Sequence, residues 1–390
     1  MMKHTTRLII LYFAGAGLVG HLMLFTLYIA KPEIVKKGYT LATDKIKKHI
    51  PFLSQLSGHH ILVEKTLEEE IAENFPTWSF INNPELPLLG IQINDQLYSS
   101  LKEAAQALKD GDTLIIGEGL YQEPLVIKAN NITVIGNGHV ILESTEAEGK
   151  GAIITKGSNT RIVNIECRNI QVRDKNGSCV RHEGINLTLQ NVYFHNSEQG
   201  LLTGSKPGIV EINDSRFEQL GKNGQAHGVY IGGGQLKINN SLFIAAKSEG
   251  HEIKSRAELT QINNSIIASF SSLDSRLIDI PDGGVLEIKN SVLEQGPTSE
   301  NGDMIGYALE KSRHSINKIQ LINNIFILER NAGNTLLHQK NSLTDTDIRN
   351  NIIIASQQPE LSGFNLFFKT REEAGLEPYP LLPQKISTKE

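Results

Sequence analysis

A six-residue segment recurs through the second half of this 390-residue chain, and it constrains the fold more than any other feature. Its copies read Leu189-Gln-Asn191-Val-Tyr-Phe194, Ile212-Asn-Asp214-Ser-Arg-Phe217, Ile238-Asn-Asn240-Ser-Leu-Phe243 and Ile262-Asn-Asn264-Ser-Ile-Ile267. Three more follow: Ile288-Lys-Asn290-Ser-Val-Leu293, Ile322-Asn-Asn324-Ile-Phe-Ile327 and Ile348-Arg-Asn350-Asn-Ile-Ile353. The third place is Asn in every copy but one, which has Asp. Successive copies stand 23, 26, 24, 26, 34 and 26 residues apart. Ile165-Glu-Cys167-Arg-Asn-Ile170 fits one turn earlier, with Cys167 in the Asn place.

Such a unit is a strand, a tight bend and a second strand. Asn tolerates the left-handed conformation that the bend requires. One coil cannot bury its own apolar face, but coils stacked at strand spacing share a continuous core. Stacked Asn side chains can also hydrogen-bond from coil to coil. The reading is an all-β chain forming a right-handed parallel β-helix over residues 91–356. A β-sandwich is the alternative, but its strands have no reason to repeat one Asn at near-constant intervals. Leucine-rich and ankyrin arrays need helices that this pattern lacks. Low aromatic content, 6%, with 34 Gly, also suits short strands and turns.

Residues outside the repeat supply the ends. Leu97, Leu101, Ala104, Ala105 and Leu108 recur at helical spacing, so residues 95–108 read as an amphipathic helix capping the open end of the core. The long 34-residue interval contains Gln295 to His314 and reads as a loop bordering a groove. Residues 357–390 read as a cap and tail. Residues 31–90 read as a spacer, with Pro76, Pro84 and Pro87 breaking regularity. Residues 8–30 carry no formal charge and are long enough to span a bilayer, so they read as an uncleaved transmembrane signal anchor. Lysines after the run outnumber Lys3 and Arg7 before it, which by charge count favours a cytoplasmic solenoid. Export is adopted instead, as usual for such folds, giving a single-pass membrane protein with a periplasmic domain. The net charge of -5 gives no basic surface for nucleic acid. Cys167 and Cys179 leave pairing open.

Comparing coils column by column exposes candidate chemistry. His227-Gly-Val-Tyr230, His251-Glu-Ile-Lys254 and Arg276-Leu-Ile-Asp279 fall in register. His227, His251 and Arg276 form one column; Tyr230, Lys254 and Asp279 form the next. Arg256 lies two residues beyond Lys254, on the same side of its strand. This equipment suits an acidic polysaccharide. Arg256, Arg276 or Lys254 would neutralise a uronate carboxylate, making the C5 proton easier to remove. His227, His251 or Lys254 would act as base and Tyr230 as the opposing acid. Asp279, Glu300 and Asn301 are candidate substrate contacts. The plainer reading is a stacked polar ladder with a Lys254–Asp279 ion pair. Glycoside hydrolysis would need two carboxylates across a cleft, drawn from Asp274, Asp279, Asp282 and Glu252. No metal set accompanies His227 and His251, and nothing calls for a cofactor. A non-catalytic, membrane-tethered scaffold for envelope polysaccharide is the other class. It would need aromatic platforms, and Trp78, the single tryptophan, falls outside the repeat.

These residues carry a resemblance. Asp110-Gly-Asp-Thr-Leu-Ile-Ile116 with Gly119-Leu-Tyr121 resembles the first coil of pectate-lyase-like β-helix proteins, including alginate-type C5 epimerases. The column segments, with Ile278-Asp-Ile-Pro-Asp-Gly-Gly284 and Gln295-Gly-Pro-Thr-Ser-Glu-Asn301, look like those of bacterial right-handed parallel β-helix repeat proteins. The resemblance covers residues 90–355. It is specific for the solenoid fold and not for a reaction. The Asp-Pro-His-Asp motif of the epimerases is missing from the chain.

Overall fold

The computed structural model describes residues 65–340 and 344–383. They form a parallel β-solenoid. One coil shows the plan: Ile253–Ser255, Leu259–Asn263 and Ile266–Ala268, then a loop leading to Ile278–Ile280 of the next coil. Each strand pairs in parallel with its counterpart one coil along. Three faces result. Nine strands from Leu125–Ile127 to Thr335–Gln339 make the first. The second runs from Ser158–Val163 to Asp345–Arg349, and the third from Glu166–Arg168 to Leu366–Phe368.

The bend between the second and third faces explains the repeat. Asn191, Asp214, Asn240, Asn264 and Asn290 stand in one file with φ between 49° and 51°. This left-handed backbone is cheap for Asn and Asp and costly for branched residues. The Asn240 amide donates to the Asn263 carbonyl at 3.1 Å, so each bend hands its N–H to the next coil. The next residue builds a buried ladder. Ser215, Ser241 and Ser265 donate their amides to the Oγ of Ser241, Ser265 and Ser291 at 3.1, 3.2 and 3.2 Å. Each hydroxyl donates in turn to the carbonyl two residues back, as Ser241 does to Asn239 at 2.8 Å. Asn324 and Asn351 continue the ladder with Oδ1. Two copies of the repeat therefore shift. Asn323, not Asn324, takes the bend, and Asn164 takes it three residues before Cys167. Cys167 pairs in register with Phe194, inside the core, in the file of Phe217 and Phe243. There it forms a disulfide with Cys179 of the first face.

The fold class read from sequence is corrected in its helices. Among the described residues, no helix is long and apolar enough to cross a membrane. The apolar run at residues 8–30 lies outside the described residues. Two short helices are described, α1 (Leu67–Asn74) and α2 (Leu101–Ala107). The expected helix over residues 95–108 is therefore halved. Asn94 and Asp95, at φ 48° and 66°, turn a hairpin between Ile91–Ile93 and Gln96–Tyr98. Two positive-φ residues at a hairpin tip are the primed-turn geometry that Asn and Asp favour. Leu97 is consequently 65% exposed, while Leu101 and Ala104 seal the core end. Ile91–Ile93 pairs antiparallel with Thr113–Tyr121, covering that strand's edge.

Residues 65–90 are part of the solenoid unit rather than a spacer. Ile71 and Phe75 join an apolar cluster with Ile244, Phe270, Ile327 and Leu382 on the outside of the third face. From there residues 76–89 run as a strap toward the first coils. Arg216 Nη1 donates to the Pro76 carbonyl at 2.8 Å, Ile81 N to Asn164 Oδ1 at 2.7 Å, and Asn83 N to Asn137 Oδ1 at 2.7 Å.

Candidate functional site

The first face brings the sequence-read columns together. Val229, Ile253 and Ile278 pair in register and point into the core. That register stacks His227, His251 and Arg276, and in the outward file Tyr230, Lys254 and Asp279. Neighbouring coils lie at strand spacing, about 4.8 Å.

The two columns differ in access. His227 and His251 are 2% and 7% exposed. Their rings stack 4.8 Å apart at 13°, and His227 also lies against Tyr230 at 5.9 Å. His227 Nδ1 accepts the His251 amide, and His251 Nδ1 accepts the Arg276 amide, both at 3.1 Å. Burial pushes His227 well below the usual imidazole range. Burial, aided by the charges of Lys254 and Arg276, takes His251 down to about 3. These imidazoles are neutral braces between coils.

The outward file carries the accessible chemistry. Tyr230 Oη accepts from Arg256 Nε at 2.8 Å. Arg256 Nη1 bonds Asp282 at 2.7 Å and its Nη2 bonds Glu310 at 2.8 Å. Lys254 Nζ sits 3.1 Å from Asp279 and 3.6 Å from Glu310. Arg276 bridges Asp279 at 3.5 Å and Asp303 at 3.0 Å, and His338 meets Asp303 at 2.8 Å. Gly306 continues the Tyr230 file. A Cβ there would fall 2.7 Å from Arg276 Nε, so the missing side chain is what lets Arg276 cross to the next coil.

Asp303, Glu310 and His338 were not singled out from sequence. Asp303 has a readable signal, since it falls in the His227 column one coil beyond Arg276. Glu310 sits on residues 308–317, the insertion between Tyr307 and Lys318, within the stretch read as a groove border. Glu300 and Asn301 lie in the loop before Asp303: the Glu300 amide donates to the Asp274 carbonyl, and Asn301 Oδ1 accepts the Asp303 amide. Of the four carboxylates considered for hydrolysis, none is open to solvent. Asp274 and Glu252 are buried at 0% and 1%, while Asp279 and Asp282 are held in ion pairs. Among the described residues no three His, Cys, Asp or Glu side chains are grouped to hold a metal ion.

Neither the family models nor the curated proteins match this chain. What the structure supports is a parallel solenoid of repeated coils, without a pectate-lyase-like family assignment.

Two further clusters lie on the third face. Glu294, fully buried, accepts the Phe270 amide at 2.9 Å. Burial, with the charge of Glu329 adding, pushes it up to about 8. Near it Arg371 pairs with Glu329 at 2.6 Å beside a hollow of about 630 Å³ lined also by Lys369 and Tyr379. At the other end of the third face, Glu166 meets His139 at 2.7 Å and His195 at 3.1 Å. Trp78 of the strap lies 5.8 Å from Tyr193, and Phe80 stacks on His139 at 5.0 Å.

Proposed function

We propose that the first face binds an acidic polysaccharide and removes the C5 proton of a uronate residue. The observation that carries this reading is the adjacency of Tyr230, Lys254 and Arg256 in one outward patch, with Tyr230 Oη 2.8 Å from Arg256 Nε. The two cations bind the sugar carboxylate and take up the charge that develops when the C5–H bond breaks. In this reading the Tyr230 oxygen, reacting as a phenolate beside the Arg256 guanidinium, takes the C5 proton and becomes a phenol. If the C4–O bond then breaks, its electrons leave with the oxygen, which takes the proton back from Tyr230 Oη, and a C4–C5 double bond remains; if water instead protonates C5 on the opposite face, C5 is inverted and the phenol proton passes to the hydroxide left behind. His227 and His251 position the file, and Asp279 and Asp282 hold the cations.

The Cys167–Cys179 disulfide favours an oxidising, extracytoplasmic location, where such glycans are met. A second reading, glycan binding without turnover, draws on Trp78 and Phe80, because aromatic faces suit sugar rings.

The test is incubation of the full chain with pectate, alginate and glucuronan. Ultraviolet absorbance reports unsaturated ends and NMR reports C5 inversion. Turnover that falls about a hundredfold or more in Tyr230→Phe supports the first reading. Binding without either product, abolished by Trp78→Ala and unaffected by Tyr230→Phe, replaces it with the second.

A further inference from the structure

Glu310 stands apart from the other carboxylates of the first face. Its side chain is 50% exposed, against 5% for Asp279, 4% for Asp282 and 16% for Asp303. It also bridges two cations of one coil. One oxygen lies 2.8 Å from Arg256 Nη2 and the other 3.6 Å from Lys254 Nζ. A single carboxylate straddling an ammonium and a guanidinium is the contact an external uronate would make with the same pair.

The segment that carries Glu310 is anchored by its backbone. The amides of Glu310 and Lys311 donate to the Pro281 carbonyl at 3.2 and 3.1 Å, and that of Arg313 to the Asp282 carbonyl at 2.9 Å. His314 Nε2 meets the Arg256 carbonyl at 3.2 Å, and Lys340 Nζ donates to that of Leu309 at 2.6 Å. Freeing the two cations therefore needs only a rotation of the Glu310 side chain. After it, Lys254 keeps Asp279, and Arg256 keeps Tyr230 and Asp282. Both cations stay fixed, each with N–H groups open on the side Glu310 has left.

We infer that Glu310 is an internal competitor for the substrate carboxylate, filling the Lys254–Arg256 pair until a uronate displaces it. The inference rests on the acidic-glycan reading and makes Glu310 a specificity residue. A neutral or esterified sugar cannot replace the charge that Glu310 withdraws, so it gains nothing by entering. A free uronate exchanges one carboxylate for another and is admitted. Glu310 is half exposed and its partners keep their other carboxylates, so its displacement is inexpensive and the competition lowers affinity without abolishing it.

The test is calorimetric titration of the full chain with oligogalacturonate, oligoalginate and methyl-esterified oligogalacturonate. Wild type is compared with Glu310→Gln, Glu310→Ala and, as a control in the same segment, Lys311→Gln; melting curves check the fold. Both Glu310 variants should bind a free uronate oligomer about fivefold more tightly than wild type, with Lys311→Gln unchanged and the ester no better bound by any of them. If wild type binds an oligomer and neither Glu310 variant binds it more tightly, or if the variants gain equally for the ester, the competitor role is overturned and the acidic-glycan reading stands. If none of the four chains binds either free uronate, the acidic-glycan reading falls and the competitor role with it.

Discussion

The imidazoles of His227 and His251 lie nearly flat on one another, 4.8 Å apart, each accepting a backbone amide from the following coil at Nδ1. Protonation would end that acceptor role and place positive charge inside the wall. The folded value of His251, about 3, lies below the ordinary 6.5. Its contribution to stability is therefore present above pH 6.5 and is lost as pH falls toward 3, by up to about 1.4 kcal/mol per pH unit. We expect melting temperatures to fall on acidification through this window, and to fall less in His251→Asn, whose Oδ1 can still accept the Arg276 amide.

Glu294 works in the opposite direction. Its folded value, about 8, lies above the ordinary 4.5. The stability that it contributes is full below pH 4.5 and is lost as pH rises toward 8. Gln keeps an oxygen for the Phe270 amide and does not ionise. We expect Glu294→Gln to gain stability relative to wild type as pH is raised from 4.5 to 8, measured by thermal melts across that range.

The buried serine ladder gives a sharper contrast. Ser241→Ala removes the acceptor of the Ser215 amide, and an unsatisfied buried amide costs about 1–3 kcal/mol. Asn324 fills the same place three coils further on, accepting the Ser291 amide with Oδ1 and donating to the Ile288 carbonyl. We expect Ser241→Ala to be destabilised by that amount in urea unfolding and Ser241→Asn to be less affected.

The disulfide closes a short loop between the third and first faces. Closing a loop of 12 residues stabilises by about 3 kcal/mol on chain-entropy grounds. We expect the Cys167→Ala/Cys179→Ala chain to lose about that much in urea unfolding, and the wild-type chain to lose stability on reduction.

How much of this was legible follows from what each signal specifies. Asn240, Asn264 and Asn290 were readable because a left-handed bend selects Asn at a fixed place in every coil. Asn323 and Asn324 are both Asn, so the pattern alone did not say which one bends. Cys167 was misplaced because Ile165 to Ile170 imitates the repeat, while the bend fell to Asn164, outside that window. The strap was hidden because residues 76–89 are held through backbone bonds such as Ile81 to Asn164, which need no periodicity. Column comparison aligned Tyr230, Lys254 and Asp279, since register follows from the inward Val229, Ile253 and Ile278. It overlooked that His227 and His251, each two residues before the inward Val229 or Ile253, fall on the inward side by the same alternation. Nor could it find Glu310, which lies on an insertion with no counterpart in neighbouring coils.

The central claim is that Tyr230, Lys254 and Arg256 receive the uronate, and the most direct measurement is a crystal structure of the full chain with a bound oligouronate. The account expects one sugar carboxylate against Lys254 and Arg256, Tyr230 facing C5, and Glu310 turned away. An oligosaccharide bound instead along Trp78 and Phe80, or in the hollow beside Arg371, with Glu310 still seated on Arg256, would contradict it.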